Sequence, residues 1–210
     1  MGDATRFVRS ALDYLLGGPA VGGADEDRLR RWFALPGPDL VVAHARARYV
    51  VVCTGSSAAE RWRRPVALAA VAVEGLQLDF AGCFTAPLRA VPSTAEPKTA
   101  ILDFLDYLQK SPLVAFDAAH ERARLERTVR SLLGVPLRHP WIDLRALLPA
   151  LFRSAGCSSL DQWTAHFHIG AAMHDPALGD AFACAQLLLV ALDAAARAGA
   201  SNARALIDLA

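Results

Sequence analysis

The hydrophobic pattern changes character twice along the chain. Phe7, Val8, Ala11, Leu12 and Leu15 recur at helical spacing, and Gly17-Gly18 ends the run. A second short helix is predicted from Asp25, burying Leu29, Trp32 and Phe33, and Pro36-Gly37-Pro38 stops it. The β-branched run Tyr49-Val50-Val51-Val52 then reads as a buried strand. Val66 to Val73 predicts a second strand and Leu76 to Phe84 a third, with Glu74-Gly75 as the hairpin turn. A helix over Pro97–Gln109 presents Ile101, Leu105 and Leu108 on one face, and Leu113–Phe116 returns to a buried strand.

A helix rich in arginine and glutamate follows over Ala119–Leu133, and Trp141-Ile142-Asp143 predicts a short final strand. Helices are predicted at Leu144–Phe152 and Ser159–Phe167. The last long helix starts at Pro176 with Asp175 as its N-cap, and Leu178, Phe182, Ala185, Leu189 and Leu192 form an amphipathic stripe. Antiparallel strands followed by strands alternating with helices predict an α/β fold, a mixed sheet flanked by helices. Residues 1–45 are read as an N-terminal helical extension, 46–200 as the main domain and 201–210 as a C-terminal tail.

Composition adds little that is specific. A hydrophobic content of 54% in 210 residues suits one compact core, and a formal charge of +1 gives no overall basic field for nucleic acid. A local basic groove stays open. Cys53, Cys83, Cys157 and Cys184 show neither a CxxC pair nor zinc-site spacing, so reduced thiols are expected. The charged start Met1–Arg9 does not resemble a signal peptide, and the apolar run Ala181–Leu192 is short for a bilayer. A cytoplasmic protein with no membrane partner is the expectation.

Three segments carry candidate chemistry. They are Arg48–Ser57 with the hairpin after it, Leu113–Glu121, and His174-Asp175-Pro176-Ala177-Leu178-Gly179-Asp180-Ala181. Together and in this order they resemble the DnaQ-like (DEDDh) 3′–5′ exonuclease family. The first is similar to its strand ending in Asp-x-Glu-Thr, the second to its strand-to-helix segment with a metal-binding Asp, the third to its closing His-x4-Asp-Ala. The resemblance covers Arg48 to Leu192 and implies a ribonuclease H-like fold with a five-stranded mixed sheet. It also implies phosphodiester hydrolysis by two divalent cations about 4 Å apart on four carboxylates, with a histidine as general base.

Carried over residue by residue, the resemblance puts Cys53 and Gly55 at the two first-strand carboxylates. Glu121 stands at the second-motif Asp, Asp180 at the last carboxylate and His174 at the general base, with five intervening residues instead of four. Two cations bring about +4, the family quartet about −4, and Glu121 with Asp180 only about −2. Sulfur at Cys53 is a poor ligand for magnesium or manganese. The expectation is therefore an impaired or inactive homologue with no cofactor, magnesium or manganese entering only with residual activity. The alternative is an active exonuclease with a remodelled carboxylate set that recruits Glu60. Zinc on Cys53, His174 and Asp180 is a third arrangement.

Plainer readings stand beside these. Cys53 suits a core thiol, Gly55 a turn, Glu121 a charge at a helix start, and Asp117 and Asp143 helix caps. His166 and His168 read as surface or packing residues. Arg61, Arg63 and Arg64 beside Trp62 suit a solvated turn or a nucleic-acid backbone contact. The partners implied are single-stranded nucleic-acid 3′ ends, or a protein partner or second copy of the chain.

Overall fold

The computed structural model describes residues 23–55, 67–88, 96–170 and 175–210. The expected first helix at Phe7–Leu15, residues 56–66 with Glu60 and the Arg61–Arg64 run, and His174 lie outside the described residues. Among the described residues six strands form one mixed sheet: β1 (Arg48–Gly55), β2 (Ala67–Glu74), β3 (Gln77–Leu78), β4 (Phe84–Pro87), β5 (Leu113–Ala115) and β6 (Trp141–Asp143). The order is β3-β2-β1-β5-β6, with β4 also pairing β2. β1 and β2 are antiparallel through eight residue pairs, from Arg48 opposite Glu74 to Gly55 opposite Ala67. β1, β5 and β6 are parallel.

The sheet has one strand more than the five expected, because the run Leu76 to Phe84 breaks in two. β3 pairs the C-terminal end of β2 and β4 its N-terminal half. Between them Asp79 Oδ1 accepts from the Gly82 amide at 2.8 Å and closes a turn. A Cβ on Gly82 would stand 2.2 Å from Asp79 Oδ2, so any larger residue here would have to displace the Asp79 carboxylate that closes the turn. Alternating apolarity carried on through Asp79–Gly82 in the sequence pattern, and local side-chain bonding overrides it.

Seven helices are described: α1 (Ala24–Ala34), α2 (Pro97–Leu108), α3 (Ala118–Leu133), α4 (Leu144–Leu151), α5 (Leu160–His166), α6 (Pro176–Arg197) and α7 (Ala203–Leu209). Side chains of β1 and β2 alternate between two cores, as a period of two requires. Tyr49, Val51, Ala69 and Val71 meet α4, α5, α6 and α7, while Val50, Val52, Leu68 and Ala70 meet α1, α2 and α3. On α1, Leu29 and Trp32 are buried in the second core, and Arg28 reaches Asp103 and Asp106 of α2 at 2.6 Å each.

The buried face of α6 is wider than the predicted stripe, adding Ala181, Cys184, Leu188, Ala191 and Ala195. The 22-residue helix is long and apolar enough by composition to cross a bilayer, longer than the run Ala181–Leu192 suggests. Yet 61% of its most apolar window is buried inside the protein. Its hydropathy is spent on the sheet and on α4 and α5. The last ten residues are docked, not trailing: α7 buries Ala203 and Leu206, and Ala43 bridges Asn202. His44 fastens this junction, with Nε2 at 3.0 Å from the Ala200 carbonyl and Nδ1 at 2.6 Å from the Tyr49 hydroxyl.

A candidate site at the carboxyl edge of the parallel strands

The C-terminal ends of β1, β5 and β6 open toward the first turns of α3 and α6, the end of an α/β sheet where ligands bind. Caps hold these helix starts. Asp117 accepts from the His120 amide at 3.1 Å and pairs with Arg145 at 3.0 Å. Asp143 accepts from the Arg145 amide at 2.9 Å. Asp175 accepts from the amides of Ala177 and Leu178 at 2.9 and 3.2 Å, directly ahead of Pro176. All three aspartates act as the sequence suggests for caps.

Cys53, Gly55, Glu121 and Asp180 come together here from β1, α3 and α6. Glu121 is committed inside the protein: its Oε2 accepts from the Thr54 amide at 2.9 Å and from the Thr54 hydroxyl at 2.6 Å. Thr54 itself is 4% exposed. Burial raises the Glu121 pKa above the usual carboxylate value, while the Thr54 hydroxyl and Arg124 pull it back. Burial is also the main cause holding Cys53 as a neutral thiol, and the charges of Glu121, Cys184 and Asp180 act in the same direction. Cys184, one turn after Asp180 on α6, is fully buried and likewise held protonated by burial and by Asp180 and Glu121. Asp180 is exposed on α6, and its pKa is raised by partial burial and by Asp161.

Gly55 is the last residue of β1, opposite Ala67, not a turn residue. A Cβ added there would lie 3.2 Å from the Ala177 Cβ and 3.5 Å from the Ala67 Cβ. The first turn of α6 therefore packs tightly over the position where the resemblance expects a glutamate.

Does this donor set fit a pair of hard cations? Among the described residues no three His, Cys, Asp or Glu side chains converge as a metal-binding group. Of the four positions, one is a neutral thiol, one lacks a side chain and one carboxylate is turned onto Thr54. That set does not fit magnesium or manganese, which need several oxygen ligands.

The sequence reading overlooked Thr54, Cys184 and Arg124. Arg124 and Cys184 had a periodicity signal. Arg124 and Thr128 sit a turn apart beside Leu125 and Val129 on the inward face of α3, and both are buried. Cys184 follows Asp180 at the i+4 spacing that shares a helix face. His166 and His168 are exposed, as expected.

No family model and no curated protein sequence matches the chain. Solved structures do. Exonuclease X in complex with 5′ overhanging duplex DNA superposes with a TM-score of 0.55 at 15% identity, over 77% of this chain and 98% of that one. E. coli exonuclease I in complex with a dT13 oligonucleotide gives 0.52 at 11% identity, over 73% of this chain and 43% of the other. A further exonuclease I structure, described as suggesting how processivity is achieved, gives 0.51 at 11% identity over 78% of this chain. The chain thus spans nearly all of exonuclease X and less than half of exonuclease I. The mixed six-stranded sheet flanked by helices and these likenesses give the chain a ribonuclease H-like α/β fold.

Proposed function

We propose that this chain is a DnaQ-like 3′–5′ exonuclease homologue that has lost metal-dependent hydrolysis and keeps the fold to bind nucleic acid, single-stranded 3′ ends above all. One observation carries the reading: Glu121, the carboxylate nearest the strand end, is used to hold Thr54 in place. Both described hydrogen bonds to Glu121 fall on Oε2, from a buried strand residue, so this carboxylate has Oε1 alone to offer, far short of the several oxygen ligands that a pair of divalent cations needs. The tight approach of Ala177 to Gly55 supports the same conclusion, because a side chain there starts from a Cβ 3.2 Å from that of Ala177 and needs the first turn of α6 to give by a few tenths of an ångström. Fold alone does not fix function; the side chains at the site decide it.

Binding to DNA comes from the neighbours by analogy, since those structures hold a 5′ overhanging duplex and a dT13 oligonucleotide. All four cysteines are free thiols, in keeping with a cytoplasmic location. The test is incubation of the pure protein with 3′-tailed DNA and RNA plus magnesium or manganese. No digestion is expected. Robust digestion that disappears in Asp180→Ala would overturn the reading and favour the remodelled exonuclease.

A further inference from the structure

Arg124 lies on α3 one turn beyond Glu121, and only 8% of its surface is exposed. A guanidinium has five N–H donors and no means of shedding its charge. Among the described residues this one makes a single long hydrogen bond, from Nη2 to the Gly55 carbonyl at 3.4 Å, and its Nε has no partner. Among the described residues no carboxylate stands within ion-pair distance of it: Glu121 feels its charge from farther off and is turned onto Thr54. A buried cation without a paired anion is expensive, and such a group at a functional edge points to a ligand that completes it.

Its location sharpens the inference. The Arg124 head reaches the carbonyl of Gly55, beside Cys53, where the resemblance would place two carboxylates. Aspartate and glutamate at those positions would pair with Arg124 and repel a phosphate. A neutral thiol and a glycine do neither. We propose that Arg124 makes this edge a metal-independent phosphate clamp, its fixed positive charge gripping a phosphate oxygen of a single-stranded 3′ end or a mononucleotide. The planar fork suits such an oxyanion, donating two parallel N–H···O bonds to it. The opposing anions are Glu121, held by Thr54, and Asp180, exposed on α6. The clamp rests on the proposal that catalytic metals are lost from this site.

The experiment uses the full chain in excess EDTA, with fluorescence anisotropy of a short 3′-labelled oligothymidine and competition by dTMP and by inorganic phosphate. Wild type is expected to bind without metal, and Arg124→Gln to weaken binding by roughly tenfold or more. Preferential binding of the oligothymidine assigns the phosphate to a strand, and equal competition by dTMP assigns it to a mononucleotide; either supports the clamp. Because a buried arginine can be needed for folding, Arg124→Lys and the wild-type spectrum supply an independent readout. One arginine Nε–H resonance, missing from Arg124→Lys, is expected to shift as dTMP or oligothymidine is added in EDTA. No metal-free binding together with no such shift overturns the clamp, as does equal binding by a folded Arg124→Gln protein. Metal-dependent digestion would sink the proposed function as well, whereas metal-free binding indifferent to Arg124 would sink the clamp alone.

Discussion

Replacing Glu121 separates a structural carboxylate from a metal ligand. In Glu121→Ala the Thr54 amide and hydroxyl lose the one oxygen that accepts both, at 2.9 and 2.6 Å, and Thr54 is too buried for water to take over. A hydrogen bond to a charged group contributes about 1.5–3 kcal/mol. Because the two donors share one acceptor, the loss is set at about 2–4 kcal/mol, less than twice the single-bond value. A chain of this size loses about 2–4 °C in Tm per kcal/mol, so a fall of roughly 5–15 °C is expected. Glu121→Gln keeps an amide oxygen for Thr54 and should stay within about 1 kcal/mol of wild type at neutral pH. The sign of the pH dependence agrees. Burial raises the folded pKa of Glu121, so its contribution is greatest below the unfolded carboxylate pKa and falls as pH rises through the folded one. Glutamine, which carries no charge to desolvate, should not show that fall. Calorimetric melting of the three proteins in EDTA decides the matter. An alanine variant as stable as wild type would refute the structural role, since a carboxylate kept only for metal costs stability when no metal is bound.

Three further outcomes follow from the packing. Gly55→Ala places a Cβ 3.2 Å from that of Ala177 and should cost about 1–3 kcal/mol, an overpacking penalty; urea unfolding of a double-mutant cycle with Ala177→Gly should recover most of it, and strict additivity would contradict the contact. His139, 8% exposed and stacked on Trp32, has its pKa lowered to about 4, mainly by burial. Its unfolded form binds protons first, so stability should be full above about pH 6.5 and lower by about 2 kcal/mol at pH 5, and His139→Gln should remove that part of the urea-midpoint slope. Trp32→Ala should destabilise by about 3–5 kcal/mol and Arg28→Ala by less than about 1 kcal/mol, since the indole is buried and the ion pairs of Arg28 with Asp103 and Asp106 are partly solvated; equal losses in thermal melts would reverse that ranking.

The elements most legible in the sequence were those whose signal is local. β6 spans Trp141–Asp143 as predicted, and Asp175-Pro176 starts α6 where a cap and a helix-opening proline require. The split between β3 and β4 was hidden because Asp79 and Gly82 interrupt an alternating pattern by a side-chain turn, not by an obvious break in apolarity. The breadth of the buried face of α6 was hidden too, since alanines at 181, 191 and 195 give a weak hydrophobic signal yet allow close helix packing. At the site, motif spacing brought Cys53, Gly55, Glu121 and Asp180 into view as single positions. What Glu121 bonds to, how closely Ala177 approaches Gly55, and the absence of a described partner for Arg124 are pairings across the fold. They arise only when β1, α3 and α6 meet, so no pattern along the chain encodes them.

The most direct test is a crystal of the full chain soaked in manganese, with data collected for the anomalous signal of the metal. The account predicts no ordered manganese between Cys53, Glu121 and Asp180, and Glu121 still bonded to Thr54. Two fully occupied ions there, with Glu121 swung off Thr54 to hold one of them, would contradict it.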